Sequence, residues 1–164
     1  MRIGRFFRHT LMHPARAAGA FPSKVLDAIQ AEIAAQEKIH RGEICFVVEI
    51  ELTSTQLWRD LTPRERALEV FALRGVWNTE ENNGVLVYVL LAERAVEIVA
   101  DRGIGTRVTA AQWREVCASM EKAFAQGRFE EGSVQGVRGV ASLLGREYPG
   151  ISKGNELPDR PLVI

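Results

Sequence analysis

Residues 85–100 limit what this chain can fold into more than any other stretch. Val85–Leu91 is an unbroken apolar run, Glu93-Arg94 interrupts it, and Ala95–Ala100 is apolar again except for Glu97. Two such runs around a tight polar break predict an antiparallel hairpin. Apart from Tyr88 and Glu97, both faces of both strands are apolar. Strands of that kind belong inside a sheet covered on both sides. A turn centred on Glu93-Arg94 pairs residue 92 with 95, 86 with 101 and 84 with 103. The loop ending Asn82-Asn83-Gly84 and the exit Asp101-Arg102-Gly103 then lie side by side at one end of the sheet. Loops held on a rigid sheet are where binding groups concentrate.

The flanking segments supply the covering layers. Phe21-Pro22-Ser23 opens a helix in which Leu26, Ile29 and Ile33 recur at helical spacing, ending near Ile39-His40. Glu43 to Glu51 alternates as a strand, with Ile44, Phe46, Val48 and Ile50 on one face and Cys45, Val47, Glu49 and Glu51 on the other. The acidic end of that second face is expected to be exposed. Thr62-Pro63-Arg64-Glu65 reads as a capping box, with Leu68, Phe71 and Ala72 as the buried stripe behind it. Thr109 to Gln112 is another, followed by Trp113, Val116, Cys117, Met120 and Phe124 on one face. A last helix carries Val134, Val137, Val140, Ala141 and Leu144 and ends near Tyr148-Pro149. The order predicts an α/β fold, a three-layer α/β/α sandwich around a small mixed sheet. The first two strands are expected to be parallel across a helical crossover, with room for a fourth short strand. The chain divides into a basic arm (1–20), a folded body (21–148) and an extended tail (149–164) that can dock on the body.

Lys+Arg and Asp+Glu are equal at 21 each. A dedicated nucleic-acid binder carries a basic excess, so that class is set aside. The arm is basic, with Arg2, Arg5, Arg8 and Arg16 and no acid. Arg8, His9 and His13 break up any secretory-signal core, and no window reaches the roughly 20 apolar residues of a membrane span. A cytoplasmic location is expected. The arm is expected to pack Ile3, Phe6, Phe7, Leu11 and Met12 on the domain or on a second subunit. Weak contact with a membrane surface is the alternative use of the same residues. Arm and tail are also the handles for a possible protein partner. Cys45 and Cys117 read as buried free thiols.

The chemistry-bearing groups gather in the two loops. Hard cations take carboxylate and amide oxygens from flexible loops. Asn82, Asp101 and one of Glu80 or Glu81 are therefore candidate ligands for Ca²⁺ or Mg²⁺. Asn83, Gly84, Arg102 and Gly103 complete a ligand-binding surface, on which backbone N–H groups of the 101–105 turn could approach a phosphate. The structural alternative is a capped turn with Gly84 at positive φ, followed by a tight strand exit. Glu37, His40 and Glu43 form a secondary candidate group. Glu37 and His40 would share a helix face as in ExxH metal pairs, or His40 would simply face the helix C-terminal dipole. No local motif names a nucleophile. Glu97, isolated in an apolar strand, is expected to pair with a base or reach solvent.

Asn82-Asn83-Gly84-Val85-Leu86, the strand and exit from Val96 to Ile104, and the Phe124, Gly127 and Phe129 region with its following helix resemble the TPM-domain family, which includes thylakoid-lumen acid-phosphatase-like proteins. The resemblance spans roughly residues 22–147. It implies a Rossmann-like α/β/α sandwich, with some members binding divalent cations, some credited with acid phosphatase activity, and others acting as membrane-tethered accessory factors. Asp101 stands where the family usually has glycine, and His40 to Glu43 looks specific to a short soluble subgroup. The function this implies is a divalent-cation-binding accessory or protein-interaction module. A metal-assisted acid phosphatase, a phosphomonoesterase, is the enzymatic alternative.

Overall fold

The computed structural model describes residues 4, 5, 9, 19–152 and 154–164. Helix α1 (Ser23–Gln36) leads into β1 (Glu43–Glu49). A short helix α2 (Ser54–Trp58) and α3 (Pro63–Leu73) cross to β2 (Gly84–Leu90), and β3 (Ala95–Ala100) returns beside it. A single turn α4 (Arg102–Gly105) precedes α5 (Ala110–Ala125) and α6 (Phe129–Glu147). The tail then comes back as β4 (Leu162–Val163). The sheet order is β3-β2-β1-β4, with β1 parallel to both neighbours and β2 antiparallel to β3. The expected fourth strand is thus the docked tail.

Every residue of β1 and β2 is buried, as central strands require. Ile44, Phe46, Val48, Val85, Val87 and Val89 form one core with α1, α5 and α6. Cys45, Val47, Leu86, Tyr88 and Leu90 form the other with α2, α3 and Leu157 of the tail. Thr53, Thr62 and Thr109 each close a capping box at a helix start. In α3 the buried residues are Ala67 and Val70; Leu68, expected inside, is exposed. Glu49, expected at an exposed strand end, is buried, because Arg66 of α3 and Tyr88 of β2 both bond to it.

The hairpin register is shifted from the sequence expectation: Leu86 pairs with Val99, not with residue 101. The break is longer than Glu93-Arg94, since Leu91–Glu93 forms a 3₁₀ turn and Arg94 takes a φ of 53°. An even-numbered shift keeps each side chain on its expected face. It also sets Asp101 opposite Gly84, whose carbonyl accepts from the Asp101 N–H at 2.9 Å.

Side chains close the outer edge of β3. The Val96 N–H donates to Glu121 at 3.0 Å, and Arg64 donates to the Ile98 carbonyl. Capped edges of this kind resist pairing with other chains. Glu97 has the basic partner expected of it, Arg64 at 3.6 Å, although burial still pushes its carboxyl up.

The arm is tied down at its described residues. Arg5 Nε donates to Glu93 Oε1 at 2.7 Å, and His9 Nε2 meets the same oxygen at 2.9 Å. The Leu52 N–H donates to His9 Nδ1 at 2.9 Å, so the ring proton sits on Nε2. Ile3, Phe6, Phe7, Leu11 and Met12 lie outside the described residues. His9→Ala should cost about 1–3 kcal/mol, because the Leu52 N–H loses its partner and the Glu93 carboxylate keeps only Arg5. Urea denaturation reads this directly, and an unchanged midpoint would return the arm to the role of a free handle.

Candidate functional site

β1 and β2 begin, and β3 ends, at the same end of the sheet: Glu43 pairs with Gly84, and Asp101 follows Ala100 beside Gly84. Three loops meet there. Asp101 caps the α4 turn, its Oδ1 accepting from the Arg102 N–H at 2.7 Å. The side chain is buried, and its Oδ2 has no hydrogen-bond partner among the described residues.

Across from it, Asn82 adopts φ 52°, a left-handed conformation that asparagine tolerates better than most residues. Its Oδ1 accepts from Arg102 Nε at 2.8 Å, and its backbone carbonyl accepts from the Gly103 N–H at 3.0 Å. A Cβ on Gly103 would stand 2.5 Å from the Asn82 carbonyl oxygen and 2.9 Å from that of Glu81. Only glycine lets the two loops come this close. The structure therefore brings together Asn82, Asp101, Arg102 and Gly103.

The other loop residues are committed differently. Glu81 pairs with Arg41 at 2.7 Å, and the Glu80 N–H donates to the Glu156 carboxylate at 3.0 Å. Asn83 is buried: its N–H donates to Thr79 Oγ1 at 3.1 Å and its Nδ2 to the Arg41 carbonyl at 2.7 Å, leaving Oδ1 without a partner among the described residues. Gly84 is not at positive φ. It is glycine because a Cβ would stand 2.1 Å from the Val76 carbonyl oxygen. Arg41, Glu80, Glu81 and Asn83 line a cavity of about 260 Å³, closed on the tail side by Ser152, Gly154 and Glu156.

The secondary group is arranged otherwise than expected. Helix α1 ends at Gln36, so Glu37 and His40 share no helix face. Glu37 Oε1 accepts from the Ile44 N–H at 2.9 Å. Glu43 is buried and its Oε2 accepts from the N–H groups of Glu156 and Leu157, each at 3.1 Å. Burial raises both carboxyls, that of Glu37 to about 8. His40 is fully enclosed, neither ring nitrogen has a partner among the described residues, and burial lowers its pKa from 6.5. An imidazole so placed stays neutral.

Among the described residues no three His, Cys, Asp or Glu side chains are arranged to hold a metal ion. A cation here would have to combine the Asp101 carboxylate with amide, carbonyl and water oxygens, a set that suits Ca²⁺ or Mg²⁺. The thiols are unpaired and unsuited to nucleophilic work: burial pushes Cys45 up to about 11 and Cys117 up to about 12. Sequence reasoning missed Arg41 and the tail residues Ser152, Gly154 and Glu156 that wall the cavity. No spacing signal marks them, because they arrive from distant segments.

Comparison with known proteins agrees with this architecture. The TPM domain matches residues 15–143. The BA42 protein from the psychrophilic bacterium Bizionia argentinensis is 27% identical, with a TM-score of 0.75 over 87% of this chain and 94% of that one. The N-terminal domain of a protein from P. gingivalis has the same fold at 23% identity, with a TM-score of 0.57 over 71% of each chain. No curated protein matches. The TPM-domain match covers most of the chain, and the chain belongs to the TPM-domain family.

Proposed function

We propose that this domain binds a divalent cation, Ca²⁺ or Mg²⁺, where the Asn82 loop meets the Asp101 turn, and works as a binding or accessory module. The observation that carries this reading is Asp101 Oδ2, a buried carboxylate oxygen with no hydrogen-bond partner among the described residues. Such an atom is costly unless water or an ion satisfies it. Oxygens of the facing loop are the natural co-ligands: the Glu81 and Asn82 carbonyls beside Gly103, Asn82 Oδ1, and a carboxylate of Glu80 or Glu81. With one carboxylate already fixed, affinity should fall at the weak end for such sites, roughly 10⁻⁴–10⁻³ M.

Calorimetry on metal-free protein tests this. Ca²⁺ or Mg²⁺ should give saturable heat, and Asp101→Asn, which keeps the cap of the α4 turn, should weaken binding by at least about tenfold. Absence of heat at millimolar metal would remove the proposal. A phosphomonoesterase would use the same cation to polarise a phosphoryl oxygen, with Arg102 steadying the phosphate. Binding is favoured because the sequence names no nucleophile and no general acid for the phosphatase reaction. Metal-dependent hydrolysis of an aryl phosphate, lost in Asp101→Asn, would reverse that preference. No helix among the described residues is long and apolar enough to cross a membrane.

A further inference from the structure

A second cavity, of about 400 Å³, lies at the end of β2 opposite the cation loops. Val89 and Leu91 line it from the strand, and Phe124, Ala125 and Phe129 from the junction of α5 with α6. At that junction Gly127 takes φ 75°, and the rings of Phe124 and Phe129 stack with centroids 5.4 Å apart. In open α/β sheets ligands bind beyond the carboxyl ends of the parallel strands. β1 and β2 are parallel, and Val89 and Leu91 stand where β2 finishes. The volume falls within the roughly 300–1,000 Å³ usual for small-molecule sites.

Among the described residues Arg94 is the one charged group in the lining. No described carboxylate pairs with it, and neighbouring Glu93 is held by Arg5 and His9. The positions outside the described residues contain no Asp or Glu, so they supply no acidic partner either. An apolar cavity with one unpaired guanidinium complements a ligand that has an apolar body and a single negative charge. The planar guanidinium matches a carboxylate in shape, whereas a phosphate monoester would bring nearly two charges to one cation. We propose that this cavity binds an alkyl or aryl carboxylic acid, with the apolar body among Val89, Leu91, Phe124 and Phe129 and the carboxylate on Arg94.

The two parts of the ligand contribute unequally. Burial of the apolar body supplies most of the affinity, which should rise about fourfold for each added methylene until the cavity is full. Arg94 is exposed, so water and salt screen its charge and its contribution is only about two- to fivefold. Gly84 and Asp101 stand at the other end of the sheet, so the acid and the cation do not compete.

Methyl NMR of the full chain titrated with octanoate tests the site. The Val89, Leu91 and Ala125 methyls should shift saturably, while Val47 and Val99, in the core on the other face of the sheet, stay in place. Hexanoate, two methylenes shorter, should bind roughly tenfold more weakly. Arg94→Gln should weaken octanoate by about two- to fivefold and leave the uncharged 1-octanol unaffected. Ala125→Trp places a ring in the cavity from the exposed last turn of α5 and should abolish binding of both, with the melting temperature kept. No saturable shift at millimolar octanoate would overturn the proposal. So would octanoate binding that is undiminished in Arg94→Gln or survives Ala125→Trp. Contacts between residues 10–18 and the Val89 and Leu91 methyls in the ligand-free protein would overturn it too, since the chain's own arm would then be the occupant.

Discussion

Replacing Arg66 with methionine should destabilise the domain by about 3–5 kcal/mol, the usual cost of leaving one member of a buried ion pair without its partner. Glu49 sits at the end of β1 with 5% of its surface exposed. Arg66 donates to both of its carboxylate oxygens, Nε to Oε2 at 2.9 Å and Nη2 to Oε1 at 3.0 Å, and Tyr88 Oη donates to Oε2 at 2.6 Å. Burial and the Glu49 charge push the Tyr88 phenol well above its ordinary range, so the tyrosine remains a donor. Without Arg66 the buried carboxylate keeps only that one bond among the described residues, beside Leu90 of the paired strand. The double change Glu49→Gln with Arg66→Met should recover most of the loss, because no charge is then stranded. Urea denaturation of the single and double variants separates the two effects. A single variant within about 0.5 kcal/mol of the parent, the range of ordinary surface changes, would show that the pair is not buried as described.

Gly84→Ala should cost about 3 kcal/mol, at the upper end for overpacking, because the atom it strikes is backbone. The new methyl would stand 2.1 Å from the Val76 carbonyl oxygen and 3.1 Å from Val76 Cγ1. Val76 cannot yield cheaply: it is fully buried, and its N–H is held by the Phe71 carbonyl at 3.1 Å. Gly84 in turn accepts from the Asp101 N–H and pairs with Glu43. The clash should therefore spread to both loops of the proposed cation site and weaken metal affinity along with stability. Parallel calorimetry and thermal denaturation read both. A variant as stable as the parent would mean that the 75–84 loop shifts freely, which its buried contacts contradict.

These two residues show what the chain disclosed in advance. Hydrophobic period was enough for the layers, because β1 and β2 bury both faces and each long helix one stripe, although β3, expected inside the sheet, lies at its edge and is only half-buried. The even-numbered error in the hairpin register arose from turn chemistry. Arg94 at positive φ belongs to a residue type that gives no warning of it, whereas a glycine there would have. Asn82 and Asp101 were visible as oxygen donors, yet their engagement with Arg102 depends on that register. Gly84 was legible as a glycine that must matter, but its reason is the Val76 carbonyl, a tertiary contact that no local spacing encodes.

The cation site rests on one atom, and crystals soaked in calcium address it directly. The account predicts density in contact with Asp101 Oδ2 and with oxygens of the Asn82 loop, at the 2.3–2.6 Å expected of calcium, and its absence in Asp101→Asn. Calcium bound only elsewhere, or an Asp101 Oδ2 that bonds nothing in the soaked crystal, would contradict it.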